Sequence, residues 1–125
     1  MFWLALWKVR LGRVGRFRAF GRSMEPVIPS GSRLTIEPVD RERIELGDIV
    51  LARVGEETML HLVKGVDRDG RRVEISGTRG PANGWTPFER VYGICTEIDE
   101  KTVAGARAKS RRARHWAHRS GRPPS

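Results

Sequence analysis

"DIVLARVGEETMLHLVKGVDRDGRRVEI", residues 48–75, contains three runs rich in aliphatic and β-branched residues, separated by turn-forming residues. "DIVLARV" precedes the acidic turn "GEE", and "TMLHLVKGV" follows it. Asp69-Gly70 then separates that run from "RRVEI", and an Asp-Gly pair between two such runs is typical of a β-hairpin. The stretch therefore predicts three consecutive strands joined by short turns.

Similar runs lie on both sides of this stretch. "SRLTIEPV" at 32–39 alternates apolar and polar residues, and "ERVYGICTEI" at 89–98 reads as a last strand. We count about six short strands and no long amphipathic helix. A chain of 125 residues buries one core but hardly two. The sequence therefore predicts a single compact domain that is mainly β.

The net charge of +9 is unevenly distributed along the chain. Residues 1–22 hold six Lys/Arg and residues 101–125 hold eight, and neither segment has an acidic residue. All 15 acidic residues therefore lie between them, against 10 basic ones, a net charge of −5. We predict a basic N-terminal arm at 1–19, a domain at 20–100, and a basic tail at 101–125 that is disordered or partly helical.

The N-terminal arm begins with the apolar run "MFWLALW" and then mixes apolar residues with Arg and Lys. It is too short to span a bilayer and has no signal-peptide cleavage site. Aromatic residues beside cations suit a bilayer interface, so Phe2, Trp3 and Trp7 favour a peripheral anchor on anionic lipid. Alternatively, the arm covers the domain's own core and the protein is cytoplasmic. The sequence leaves the oligomeric state open.

Cys95 is the single cysteine, which excludes an internal disulfide framework and a cysteine-rich zinc site. Its apolar neighbours in "VYGICTEI" predict a buried, inert thiol whose pKa is raised. No metal-ligand set and no cofactor motif is evident. Catalysis, if present, is therefore expected to use the side chains of the protein alone.

Four blocks carry a resemblance to a known family. "GRSMEPVIPSGSRLTIEP", "LGDIVLARV", "MLHLVKGV" and "ISGTRGPANGWTPFERVYGI" follow one another in the order and approximate spacing of the type I signal peptidases and their S24/S26 serine-peptidase relatives. The resemblance covers residues 20 to 98. It implies a serine endopeptidase that cleaves an extended signal or leader peptide after small residues, by a histidine-base mechanism.

The resemblance also implies roles for particular residues. Ser23 corresponds to the nucleophile, and its backbone N–H to an oxyanion donor. Met24 resembles the apolar residue beside the substrate cleft, although a methionine at that position is equally expected in core packing. A turn serine is the alternative interpretation of Ser23.

The residue that activates Ser23 is either His61 or Lys64 in "MLHLVKGV". His61 aligns with the position of the base in the resembling families, where one branch has histidine and the other lysine. Histidine, with an ordinary pKa of about 6.5, accepts a proton at neutral pH, whereas lysine needs its pKa of about 10.4 lowered by roughly three units. Because side chains alternate along a strand, His61 and Lys64 point to opposite faces. We predict His61 as the base and Lys64 as the alternative.

One departure from the family pattern bears on activity. The family usually has Gly-Asp-Asn after the fourth strand, whereas this chain has "GTR", so Thr78 stands in place of the aspartate. An orienting carboxylate for His61 is then missing. The alternative function is an inactive S24/S26-like module whose basic arms bind anionic lipid or nucleic acid, and of these two partners nucleic acid is the less favoured.

Overall fold

The structure is a computed structural model that describes residues 3–21, 23–77 and 84–112. In this part of the chain one α-helix, eight strands and three short 3-10 helices form the molecule. The 3-10 helices are Arg41–Arg43, Phe88–Arg90 and Arg107–Lys109. The α-helix is α1 (Trp3–Arg10), and the strands are β1 (Gly15–Ala19), β2 (Ser32–Pro38), β3 (Ile49–Val54), β4 (Glu57–Asp67), β5 (Arg72–Ser76), β6 (Gly84–Pro87), β7 (Val91–Ile98) and β8 (Lys101–Thr102).

The strands form one antiparallel sheet in the order β1-β2-β7-β3-β4-β5-β6, and β8 pairs with β7. The sheet curls on itself, and a hydrogen bond between β6 and β3 shows this. The Oγ1 of Thr86 on β6 donates to the carbonyl of Arg53 on β3 at 2.6 Å. These two strands are three positions apart in the sheet order. The prediction of a mainly β, compact domain is confirmed.

The three strands predicted from residues 48–75 are β3, β4 and β5. β3 and β4 are joined by a two-residue turn in which Gly55 has a φ of 60°, a left-handed conformation that glycine adopts readily. In the turn between β4 and β5, the Asp67 carboxylate accepts a hydrogen bond of 2.9 Å from the Gly70 N–H. Both turns therefore hold the register of the predicted hairpins.

Buried apolar residues lie on both faces of the sheet, since neighbours along β3 alternate between two clusters. The first cluster is Val39, Ile44, Val50, Ala52, Val63, Val73, Ile75, Phe88, Val91, Ile94 and Ala106. The second is Leu6, Val9, Met24, Ile28, Leu34, Ile36, Ile49, Leu51, Leu60 and Cys95. We call these the first and the second core cluster.

Residues 3–19, which the sequence suggests as an arm, pack on the sheet. The helix buries Ala5, Leu6 and Val9, and β1 pairs with β2 along its whole length. Gly15 permits the contact, because a Cβ there would come within 2.6 Å of the Ala5 carbonyl oxygen. Leu6 and Val9 of this segment belong to the second core cluster, and Phe17 and Ala19 pack against it.

The described part of the C-terminal tail, residues 101–112, also packs on the sheet. Ala106 and Ser110 are 2% and 1% exposed. The Asp40 N–H donates a hydrogen bond of 2.7 Å to the Lys109 carbonyl, and Ser110 forms a bridge with Val39. The folded unit therefore extends beyond residue 100, where the sequence places the end of the domain.

Among the described residues, no helix has both the length and the apolar character needed to cross a membrane.

Candidate active site

Ser23 lies in the loop that connects β1 to β2, and it is exposed to solvent. Two hydrogen bonds close the base of this loop. The Gly31 N–H donates to the Ala19 carbonyl at 2.6 Å, and the Gly21 N–H donates to Ser30 Oγ at 3.1 Å. Ser23 is therefore presented on a loop whose two ends are tied together.

The residues directly after Ser23 anchor the loop in the core. The Ile28 N–H donates to the Met24 carbonyl at 2.8 Å, which makes a helix-like turn of residues 24–28. Met24 and Ile28 are 5% and 2% exposed and belong to the second core cluster. Burial of both side chains fixes the position of Ser23 relative to the sheet.

The backbone of Ser23 lies against Gly77, the residue that follows β5. A Cβ on Gly77 would come within 2.5 Å of the Ser23 carbonyl oxygen and 3.4 Å of the Ser23 Cβ. Only glycine leaves room for this approach. The loop that carries Ser23 is thus packed directly on the end of β5.

The register of the sheet brings His61 to the same point. β4 and β5 pair as Val63 with Ile75 and Leu62 with Ser76, the last pair of the ladder. His61 directly precedes Leu62 and Gly77 directly follows Ser76, so continuing this register by one position places the two opposite each other. Side chains two residues apart on a strand point to the same face, so His61 shares a face of β4 with Val63. Position 77 likewise shares a face of β5 with Ile75, the partner of Val63. His61 is therefore a cross-strand neighbour of the glycine on which Ser23 packs.

His61 is one of the largest fully enclosed side chains of the protein, at 2% exposure. It pairs with Val50 on β3, a residue of the first core cluster. Burial lowers the pKa of His61 from 6.5 to about 4, since the charged form is poorly solvated there. The imidazole is therefore neutral at pH 7 and has a nitrogen able to accept a proton.

Lys64, the alternative base, is exposed three residues farther along β4. The ladder between β4 and β5 shifts register between Val63 and Gly65, so Lys64 sits at an irregularity of the sheet. Neither Lys64 nor His61 is among the residues that line the cavity beside Ser23. The two candidate bases thus differ in burial and in their place along β4, and the choice between them remains a prediction.

A cavity of about 90 Å³ opens beside Ser23. Its wall is almost entirely apolar or backbone, and two of its residues, Met59 and Leu60, directly precede His61. The remaining lining residues are Ala19, Phe20, Gly21, Ser23, Met24 and Ile28. Met24 packs in the second core cluster and also borders this cavity.

Comparison with known families decides the assignment. The family of Peptidase S24-like proteins matches residues 2–76, which is more than half of the chain. The chain belongs to this family. The S24-like range includes both Ser23 and His61, and it indicates a fold of the serine-peptidase type. No curated protein is similar enough in sequence to count as a match.

Thr78, which stands in place of the family's aspartate, lies outside the described residues, as does Phe2 of the N-terminal segment. The match to the S24-like family also ends at residue 76, just before Thr78. The effect of this departure on His61 therefore remains a prediction.

Gly77 is the part of the site that sequence reasoning did not identify. The signal available was a glycine directly after the β-run "RRVEIS", a position that often marks a close backbone approach. That signal alone does not say which segment approaches. The partner, Ser23, becomes apparent only when the sheet register is known.

Asp48 has a structural position in this S24-like domain. Its carboxylate accepts a hydrogen bond of 2.8 Å from the Glu45 N–H and so caps the local backbone. It also accepts one of 2.7 Å from Lys109 Nζ. The two side chains of this pair are 9% and 15% exposed. Asp48 thus ties the C-terminal segment to the turn before β3.

Cys95 lies in β7 and is completely buried in the second core cluster. Burial raises the pKa of its thiol from 9.0 to about 12. This confirms the prediction of a buried thiol with a raised pKa, and its inertness remains a prediction. In the described residues, no three His, Cys, Asp or Glu side chains are grouped so that they could hold a metal ion.

Proposed function

We propose that the protein is a serine endopeptidase in which Ser23 is the nucleophile and His61 is the general base. The observation that carries this proposal is the contact of Ser23 with Gly77, the cross-strand neighbour of His61. This packing supports the proposal, because it relates two residues from separate segments of the chain whose side-chain chemistry suits acyl transfer.

The properties of the two residues support these roles. Ser23 is exposed, so its hydroxyl is accessible to a peptide. His61 is buried and its pKa is lowered to about 4, so it needs no further tuning to be unprotonated at neutral pH. An imidazole with so low a pKa is a weak base, so the driving force for proton transfer from the Ser23 hydroxyl is small. We therefore expect slow turnover.

The reaction proceeds in two acyl-transfer steps. The Ser23 oxygen attacks the peptide carbonyl carbon while His61 takes the hydroxyl proton, and the Ser23 N–H stabilises the oxyanion. Collapse of this intermediate breaks the C–N bond, and the imidazolium gives its proton to the leaving amine. Water then attacks the acyl-enzyme ester, with His61 again accepting a proton, and releases the acid and free Ser23.

The cavity supports a preference for small side chains beside the cleaved bond. The cavity is small, with a volume of about 90 Å³. Apolar walls formed by Met24, Ile28 and Leu60 favour a small apolar side chain over a charged one. Because the sequence resembles signal peptidases, we further propose that the substrate is a signal or leader peptide.

The test is cleavage of a peptide library by the full-length chain, with Ser23→Ala, His61→Gln and Lys64→Gln compared. His61→Gln keeps most of the buried volume but removes the base. We expect no cleavage with Ser23→Ala, a fall of about 10²–10⁴-fold in kcat/KM with His61→Gln, and near-normal activity with Lys64→Gln. Loss of activity with Lys64→Gln, together with normal activity of His61→Gln, would reassign the base. Cleavage that survives Ser23→Ala would refute the proposal.

A further inference from the structure

Helix α1 is apolar on both of its faces. The inner face buries Ala5, Leu6 and Val9 against the sheet. The outer face exposes Trp3, Leu4 and Trp7 to 61%, 68% and 60%, and Leu11, just after the helix, is 66% exposed. The outer residues form an exposed hydrophobic patch, which we call the α1 patch and define as Trp3, Leu4, Trp7 and Leu11.

The charged residues next to the α1 patch along the chain are all basic. Residues 3–21 contain five Lys/Arg and no Asp/Glu. Lys8 and Arg10 are exposed on the helix itself, and Arg13 follows it. The Arg10 guanidinium carbon lies 5.9 Å from the centre of the Trp7 ring and 5.1 Å from that of Tyr92, so the cation is held beside the aromatic patch.

Charge argues against two other partners for this patch. A second copy related by twofold symmetry would set the same cations against each other, which is unfavourable. The chain's own C-terminal segment is equally unsuitable, because residues 101–125 carry eight Lys/Arg and no acid. An anionic surface complements the cations, and indole rings favour the interface between headgroups and acyl chains.

We propose that the α1 patch binds the surface of an anionic lipid bilayer, with Trp3 and Trp7 at headgroup depth. The helix lies in the plane of the interface, and its inner face remains packed on the domain. Leu6 of that inner face shares the second core cluster with Met24 and Leu60, which border the cavity beside Ser23. Lipid binding therefore holds the candidate active site close to a membrane surface.

The experiment is cosedimentation of the full chain with vesicles of phosphatidylcholine alone and of phosphatidylcholine mixed with phosphatidylglycerol. Ser23→Ala is used as the parent, so the outcome is independent of the proposed peptidase activity. We expect binding to the mixed vesicles that is about tenfold weaker for Trp3→Ala/Trp7→Ala. Trp85→Ala is the matched control, since Trp85 is 42% exposed on β6, and we expect it to bind as the parent does.

A second measurement does not depend on the folding of the alanine variant. In the double variant Trp85→Phe/Trp116→Phe, Trp3 and Trp7 are the only tryptophans left. Vesicles with brominated acyl chains quench the fluorescence of these two tryptophans if the patch inserts. Binding that persists unchanged in Trp3→Ala/Trp7→Ala, with no quenching in the phenylalanine variant, would overturn the proposal in favour of the basic segments alone. A dimer in solution that dissociates with Trp7→Ala would overturn it in favour of self-association.

Discussion

Ser23 rests on Gly77: a Cβ at position 77 would lie 2.5 Å from the Ser23 carbonyl oxygen, nearer than side-chain carbons approach backbone oxygen. The missing side chain thus lets a loop between β1 and β2 sit on the end of β5. It also leaves space next to His61, the cross-strand neighbour of Gly77. If Ser23 and His61 act as proposed, their relative position depends on this glycine.

Gly77→Ala is expected to lower kcat/KM by about 10²-fold, because a displacement of Ser23 by about 1 Å misaligns the nucleophile. The measurement is cleavage of the peptide selected by the library. Gly65→Ala is the matched control, since it adds a methyl group in the same hairpin against Glu74 and Trp85, at 3.3 Å from each. Equal losses of activity in the two variants would contradict a specific role for Gly77.

The pH dependence of catalysis follows from the lowered pKa of His61. The base is unprotonated above about pH 4, so kcat/KM is expected to stay level from neutral pH down to pH 5 and to fall near pH 4. Initial rates measured at low substrate concentration give this profile. An acid limb centred near pH 6.5 would show that His61 is better solvated than its burial indicates.

Folding stability depends on the same residue. The pKa of His61 is about 4 in the folded chain and near 6.5 when solvated, so the unfolded chain binds a proton first as the pH falls. The contribution of His61 to the free energy of unfolding is fully present above pH 6.5 and is lost as the pH falls from 6.5 to 4. We expect a loss on the order of 2 kcal/mol, discounted for residual solvent screening. Urea unfolding of wild type and His61→Gln measures it, and parallel pH curves would refute the assignment.

The Asp48–Lys109 ion pair is expected to hold the C-terminal segment on the domain. Lys109→Ala leaves a buried carboxylate without its cation, and we expect about 3 kcal/mol lower free energy of unfolding. Arg107→Ala is the control, because its partner Glu97 is paired at an exposed site and the loss should stay below about 1 kcal/mol. Comparable stability of the two variants in urea would contradict the prediction.

Strands whose pattern is local were predictable from the sequence. β3, β4 and β5 combine apolar runs with turn residues, and the Asp69-Gly70 turn lies where the hairpin signal indicates it. β1 was not recognised, because "GRFRA" lies in a basic segment and its identity depends on pairing with β2 across the Ser23 loop. Likewise, residues 101–112 are held by distant partners such as Asp40 and Asp48.

Part of the candidate site was likewise predictable from the sequence, and part of it was not. Ser23 and His61 were identified from local sequence blocks and from the chemistry of their side chains. Gly77 was not, because its importance comes from the register of β4 against β5 and from the approach of a third segment. Sequence blocks thus indicated the reacting groups, whereas the packing that orients them required the structure.

The buried thiol of Cys95 makes the protein convenient for chemical labelling. Because burial raises its pKa to about 12, this single cysteine is expected not to react with maleimides at neutral pH. A cysteine introduced on the surface would then be the only reactive one. Ser23→Cys would carry such a thiol at the site of the proposed nucleophile, and its alkylation rate with and without His61 would report how strongly that imidazole activates it.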